Sequence, residues 1–135
     1  MRQHLTEGDR ISLKAGEDMV EPYVFVQQSS TEGEVDFQAA STSVATPIIG
    51  VIQNSASSGE AVTIQTSGVS LAVAGAAIAL GARVHVGSID GRIDDDESGT
   101  AGACYVGIAL EAATAAGQVI SVLINCPAVA EDGGT

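Results

Sequence analysis

The sequence predicts an all-β fold, a small barrel or sandwich of short antiparallel strands with at most a short helical turn. Three observations carry this expectation. One phrase recurs three times: a glycine, two residues, then β-branched residues at alternate positions. The copies are Gly59-Glu-Ala-Val62-Thr-Ile64, Gly81-Ala-Arg-Val84-His-Val86 and Gly117-Gln-Val-Ile120-Ser-Val122, and Gly33-Glu-Val35-Asp-Phe37 is a weaker one. A period of two sends alternate side chains to one face, as a half-buried strand requires. The glycines stand where a turn must precede each strand. Finally, 45% of residues are hydrophobic but only 3% aromatic, so the core is built from small aliphatic side chains. Such a core gains less per residue, at about 25 cal/mol per Å² of apolar area buried. Burial between subunits would compensate, which predicts an oligomer.

In chain order, residues 1–12 read as a flexible N-terminal arm, 13–126 as a single β-rich domain and 127–135 as a flexible tail. Met19 to Val26 contains Pro22, which cannot donate to a ladder, so it reads as an edge strand. Gln27 to Glu34 is a loop and Val35 to Ala40 a strand. Ser41 to Thr46 is a polar connection that ends at Pro47, before the apolar strand Ile48-Ile-Gly50-Val-Ile52. Val62 to Thr66 and Val69 to Val73 predict a hairpin around Ser67-Gly68. Ala74 to Ala82 is a small-residue corner in which Gly75 and Gly81 weaken any helix beyond a single turn. Val84 and Val86 share one strand face, leaving Arg83 and His85 on the other. Asp90-Gly91 signals a tight turn. Asp94 to Gly99 is a solvated loop, Tyr105 to Leu110 a strand containing Gly107, and Val119 to Asn125 the last strand.

Charge is distributed unevenly. The chain carries 17 acids against five Lys and Arg, a formal net charge of −12. Residues 1–40 hold eight acids and three bases, residues 90–135 eight acids and one base, and residues 41–89 only Glu60 and Arg83. The nearly neutral middle predicts a core segment or a subunit contact. Direct nucleic-acid binding is disfavoured, because phosphate contacts need clustered Lys and Arg. The longest apolar run, Leu71 to Ala82, has 12 residues, below the roughly 18 of a membrane helix. No apolar leader follows Met1, which predicts a soluble chain not exported by the usual signal.

Chemistry finds little support. Asp94-x-Asp96-x-Ser98-Gly99 matches the opening of a calcium loop, but Tyr105 stands where the bidentate glutamate belongs. A solvated acidic turn is the preferred reading, so no metal or other cofactor is assigned and Asp94, Asp96 and Ser98 remain the weak candidates. His85 reads as an exposed strand residue, and a zinc site would need more closely grouped ligands. No Gly-x-Ser-x-Gly elbow or phosphate loop occurs. Cys104 and Cys126 read as free buried thiols, with a bridge geometrically open if their strands pair antiparallel. No catalytic residue is assigned, and the chain does not read as an enzyme.

Several phrases occur together in a telling order. They are Pro47-Ile-Ile-Gly50-Val51, Ser58-Gly59-Glu-Ala-Val-Thr-Ile64, Ser67-Gly68-Val-Ser70, Ala74-Gly75-Ala-Ala-Ile-Ala-Leu-Gly81-Ala-Arg-Val84, Asp90-Gly91-Arg-Ile93, Val106-Gly107-Ile-Ala-Leu110 and Ala115-Ala-Gly117-Gln-Val-Ile-Ser-Val-Leu123. This order resembles the capsid decoration (cement) proteins of tailed bacteriophages, over about residues 12–124. The resemblance implies a β-rich structural subunit, made in the host bacterial cytoplasm and seated on the outer surface of the virion capsid. It further implies a homotrimer at local threefold positions that binds the major capsid protein of the expanded head and stabilises the shell. It offers no catalytic residue. The acid run at Asp94 to Glu97 and the two cysteines depart from it. An alternative reading is a carbohydrate- or calcium-binding β-module of a tail fibre or surface assembly, with the acid run and Tyr105 as its site.

Overall fold

Ten short strands occur among the described residues, most of them where the alternation predicts; those over Arg10–Ala15 and Ile93–Asp94 are additional, and the one over Phe25–Gln28 runs into the expected loop Gln27 to Glu34. A computed structural model arranges them as a closed barrel followed by a five-stranded sheet whose ends also meet. The structure describes residues 8–37, 48–86, 91–95 and 105–126; no helix occurs among them. The first five strands are β1 (Arg10–Ala15), β2 (Phe25–Gln28), β3 (Glu34–Phe37), β4 (Ile48–Ile52) and β5 (Ala61–Gln65). They close in the order β1-β3-β2-β4-β5, with β5 returning to β1. The next five are β6 (Ser67–Val73), β7 (Arg83–Val86), β8 (Ile93–Asp94), β9 (Tyr105–Ala109) and β10 (Val119–Asn125), in the order β6-β10-β9-β7-β8. The two ends of that sheet meet through a parallel bridge between Ala74 and Ile93. A second ring results.

The two rings are copies of one plan. Strands β1 to β5 correspond in sequence order to β6 to β10, and every pairing has its counterpart. Antiparallel β1·β5, with Lys14 opposite Ala61, becomes β6·β10, with Val73 opposite Val119. In β2·β4 Phe25 faces Val51 and Val26 faces Gly50; in β7·β9 Arg83 faces Ile108 and Val84 faces Gly107. Even the irregularity is copied, since both pairs carry a register shift after that second residue. The parallel contact of Ala15 with Val35 becomes that of Ala74 with Ile93. Equivalent residues lie 57 to 59 positions apart, and Gly50/Gly107, Gly59/Gly117, Ala15/Ala74 and Asp36/Asp94 are identical between copies.

The repeated glycine phrase now has a structural cause. Gly59, Gly81 and Gly117 have φ of 88°, 81° and 90°, in the left-handed region that a side chain disfavours. Each follows an arch whose backbone hooks the partner strand. Gly59 N donates to Ala15 O at 2.7 Å and Ala15 N to Glu60 O at 2.9 Å. Gly117 N donates to Ala74 O at 2.8 Å, and Ala74 N to Gln118 O at 2.8 Å. Gly81 and Ala109 repeat the pattern. The fourth arch has Tyr23 in the glycine position, with φ 68° and its N–H on Ile52 O at 2.8 Å.

Several expectations change. Met19 to Val26 is not an edge strand: Met19 makes one bridge to Ala56, and β2 begins at Phe25, inside the barrel between β3 and β4. Pro22 and the left-handed Tyr23 interrupt the ladder between them. The hairpin around Ser67-Gly68 does not form. Both edges of β5 are already taken by β1 and β4, so the chain passes through Thr66 alone into the second ring. Gly68 lies within β6 opposite Ile124. β1 takes up residues 10–12 of the expected arm, and β1·β3 is parallel rather than antiparallel. Ala74 to Ala82 is a corner without a helix. Pro47, Asp90, Asp96, Ser98 and Cys104, and the tail 127–135, lie outside the described residues.

The barrels join by an asymmetric contact. The outer face of β2 and β4 (Phe25, Ile48, Val51) is fully buried and belongs to the same core as Val86, Val106 and Ile124. Those three lie at one open end of the second ring, where β7 finishes, β9 begins and β10 finishes. The wall of barrel one therefore plugs the mouth of barrel two. Phe25 N donates to Gly91 O at 2.9 Å, and Val73 N to Tyr23 O at 2.9 Å. Gln65, buried in the same wall, donates from Nε2 to Ser67 O and Val69 O at 2.9 and 2.8 Å. Arg92 and Glu21 add a two-pronged ion pair at 3.0 Å.

Two glycine substitutions separate backbone cost from packing cost. A Cβ on Gly117 meets nothing within 4 Å, whereas on Gly91 (φ 82°) it would collide with the Phe25 carbonyl oxygen. We expect Gly117→Ala to cost about 1–2 kcal/mol by chemical denaturation, and Gly91→Ala about 3 kcal/mol or more, because steric overlap at the junction adds to the strain. Equal losses would refute the junction as described.

Candidate functional site

The wall that barrel one buries has a counterpart on barrel two, and there its two aliphatic residues are exposed. Equivalents of Phe25, Ile48, Val51 and Gln65 are Arg83, Tyr105, Ile108 and Leu123, matched by the registers of β7·β9 and β9·β10. Ile108 and Leu123 face each other across β9 and β10 and are 43% and 45% exposed. Val69 continues the row opposite Leu123 on β6, and Arg83 extends it opposite Ile108 on β7. Side chains in one register row project from the same face, so the row forms a continuous apolar strip. Arg83 at its end is the strip's single charge.

Arg83 and Tyr105 are organised rather than loose. The guanidinium carbon lies 3.8 Å from the Tyr105 ring centroid, within the range of a cation–π contact worth about 0.5–1 kcal/mol at an exposed site. His85 meets the ring edge-on, with centroids 5.7 Å apart and planes at 84°. His85 is therefore only 8% exposed, against the sequence expectation of an exposed residue. Its face was taken as polar, but Tyr105 stands opposite it in register and covers it. One face of Tyr105 is occupied by Arg83.

Of the residues singled out for chemistry, Asp94 is placed in β8 opposite His85, not in a loop. Its proposed partners Asp96 and Ser98 lie outside the described residues. No group of three or more His, Cys, Asp or Glu able to hold a metal occurs among the described residues. Cys126 is half-buried beside the second core, and its N–H donates to Thr66 O at 2.9 Å. The marked glycines are structural: Gly59, Gly68, Gly81, Gly91 and Gly117 have positive φ, while Gly50, Gly75 and Gly107 have backbone or side-chain atoms packed where a Cβ would stand. Sequence reasoning missed the strip itself. The available signal was Ile108 and Leu123, each at an odd step from the buried partners Ala109 and Val122.

The strip is the candidate contact surface of the described residues. A family model described as phage cement protein matches residues 5–124. The chain belongs to the phage cement protein family. It is thus a structural, capsid-associated protein of a phage virion. Among solved structures, the N base of the bacteriophage phi29 head fiber gp8.5 is similar in fold, with a TM-score of 0.65 at 17% identity over 87% of this chain and 93% of that one. No curated protein sequence matches this chain.

Equivalent wall positions supply a direct check. We expect Val51→Ser to destabilise the isolated protein by about 2–4 kcal/mol, because it empties and wets a buried junction. Ile108→Ser, at the same place in the other copy, should stay within about 0.5 kcal/mol of the parent. Thermal or urea unfolding at low protein concentration reads both, and a large loss at Ile108 would mean that the strip is already covered.

Proposed function

We propose that this cement protein decorates the outer surface of the expanded phage head, as homotrimers at local threefold positions, and braces the adjoining major capsid subunits. The family match over nearly the whole chain carries this reading. Two physical features support it. An apolar strip stands exposed on a chain whose net charge of −12 otherwise keeps free copies apart in solution. Moreover, both barrels are held by backbone hooks and small buried side chains, which favours a rigid clip over a catalyst that must move.

Stabilisation follows from linkage. A ligand present at 100 times its dissociation constant, and bound only to the assembled shell, protects that shell by about 2.7 kcal/mol per site. Three weak contacts engaging together raise the apparent affinity by roughly 10²–10⁴ over one. No catalytic step, cofactor, nucleic acid or membrane enters this role. Asp94, in β8, and Asp96 and Ser98 are assigned no ligand in it.

Purified protein added to undecorated heads tests the proposal. Binding to expanded heads, with density at threefold positions and a raised disruption temperature, is the expected result. Failure to bind expanded and unexpanded heads alike would overturn it. For the turn, calcium and EDTA should give the same thermal midpoint, and Asp96→Ala should be silent; a calcium-dependent rise lost in Asp96→Ala would restore the ion-binding alternative.

A further inference from the structure

The second ring closes differently from the first. In barrel one the parallel seam between β1 and β3 is direct: Lys14 N donates to Gly33 O at 3.0 Å and Gly16 N to Val35 O at 2.8 Å. The duplication maps these four residues onto Val73, Gly91, Gly75 and Ile93 of barrel two. The second bond has its counterpart, from Gly75 N to Ile93 O at 2.7 Å. At the first, Val73 N donates to Tyr23 O at 2.9 Å instead, and Gly91 O accepts from Phe25 N at 2.9 Å. Three residues of barrel one, Tyr23 to Phe25, thus stand inside the seam of barrel two. Both displaced seam groups are satisfied by them.

Other observations at the same place agree. A Cβ on Gly91 would collide with the Phe25 carbonyl oxygen and press on the Val24 side chain, so only a glycine lets this segment pass. Val73, the last residue of β6, packs in the core of barrel one, while Phe25 packs in the core of barrel two. Glu21 reaches from the same segment to Arg92 beside the seam, with both bonds at 3.0 Å. Tyr23 has φ 68° where its three equivalents are glycines, a conformation that its own Cβ disfavours. Its N–H is held by Ile52 O. Its side chain, alone among the partly buried hydrophobic residues described, packs against both cores. Contacts on both sides of one joint keep the strained residue in place, and the strain serves that joint.

We propose that Glu21–Phe25 is a staple: barrel one supplies the missing rung of barrel two's seam by strand insertion, with Tyr23 as the positioning residue. β8 is two residues long, so this seam has little ladder of its own. Opening the staple therefore opens ring two, while the direct seam of ring one holds. Ring two carries the Ile108–Leu123 strip, which stays ordered only while the first barrel keeps the staple inserted. This closure is a property of the free chain and is independent of head binding.

Native-state hydrogen exchange of the full chain, read amide by amide by NMR, tests the staple. Gly75 is the discriminating amide, because it bonds to the seam and not to the staple; Gly16 is its control in ring one. In the parent, Phe25, Val73 and Gly75 should share one opening, with one dependence on added urea, and it should be easier than the opening of Gly16. Tyr23→Ala keeps the left-handed strain and removes the ring. It should speed exchange at Gly75 by about tenfold or more, and at Gly16 by less than about twofold. Tyr23→Gly, which relieves the strain, should recover part of the loss at Gly75. Faster exchange at Phe25 and Val73 with Gly75 still protected would overturn the staple, as would equal acceleration at Gly75 and Gly16. Should Tyr23→Ala fail to fold, the parent decides alone: separate openings for Phe25 and Gly75, or one opening shared with Gly16, would reject the proposal.

Discussion

Everything in this fold hangs on a backbone turned left-handed at four equivalent places, Tyr23, Gly59, Gly81 and Gly117. At each, the arch leaves one strand, reverses, and presents its N–H to the end of a partner strand. The partners reciprocate: Tyr23 hooks Ile52 and Gly59 hooks Ala15, so each arch fastens the other. A barrel of five strands with only two to seven residues each has little ladder to hold it. The paired hooks close the ring where the ladders are shortest. They also fix the register, since a one-residue slip would reverse every side chain between core and solvent.

Much of this was legible in the sequence, and the exceptions have causes. Strands β4 and β10 are readable residue for residue, because Ile48 to Ile52 is a compact apolar run and Ile120, Val122 and Ile124 stand at every second position. The turn glycines were legible as phrases, but their spacing concealed the duplication. Gly59 and Gly117 are true equivalents, 58 residues apart. Gly81 pairs with Tyr23, and a tyrosine gives no signal of a left-handed turn. The hairpin expected at Ser67-Gly68 failed for a related reason. Local turn chemistry was correctly sensed, since Gly68 does have φ 83°. What local chemistry cannot register is that both edges of β5 are already occupied by strands distant in sequence.

The candidate site was less legible than the fold. Composition points to a nearly neutral middle segment as core or subunit contact, and the structure shows it as core. Residues 48–73 supply the buried wall of barrel one and strand β6 of barrel two, while Arg83 stands on the more exposed wall. The other half of the exposed wall, Tyr105, Ile108 and Leu123, comes from the acidic C-terminal third. Charge averaged over a segment misses this, because β9 and β10 carry no charged residue while the segments around them carry eight acids.

Divergence between the two copies is where the physical meaning concentrates. Interior positions change little in character: Val26 and Val84, Val35 and Ile93, Val62 and Ile120, and Ile64 and Val122 are interchangeable aliphatics. Wall positions change in kind. Phe25 becomes Arg83 and Ile48 becomes Tyr105, whereas Val51 becomes only Ile108. The first wall is sealed within its own chain, so it can be wholly apolar. The second stands exposed at Ile108 and Leu123. An arginine stacked on a tyrosine suits that exposure, because the pair keeps a polar group in water yet offers a flat apolar surface once dehydrated. A face built only to be solvent-exposed would have lost Ile108 and Leu123 to polar residues, and a face built only to be core would not carry Arg83. Their coexistence on one strip fits the proposed role, in which a face exposed on the free chain is covered on the head.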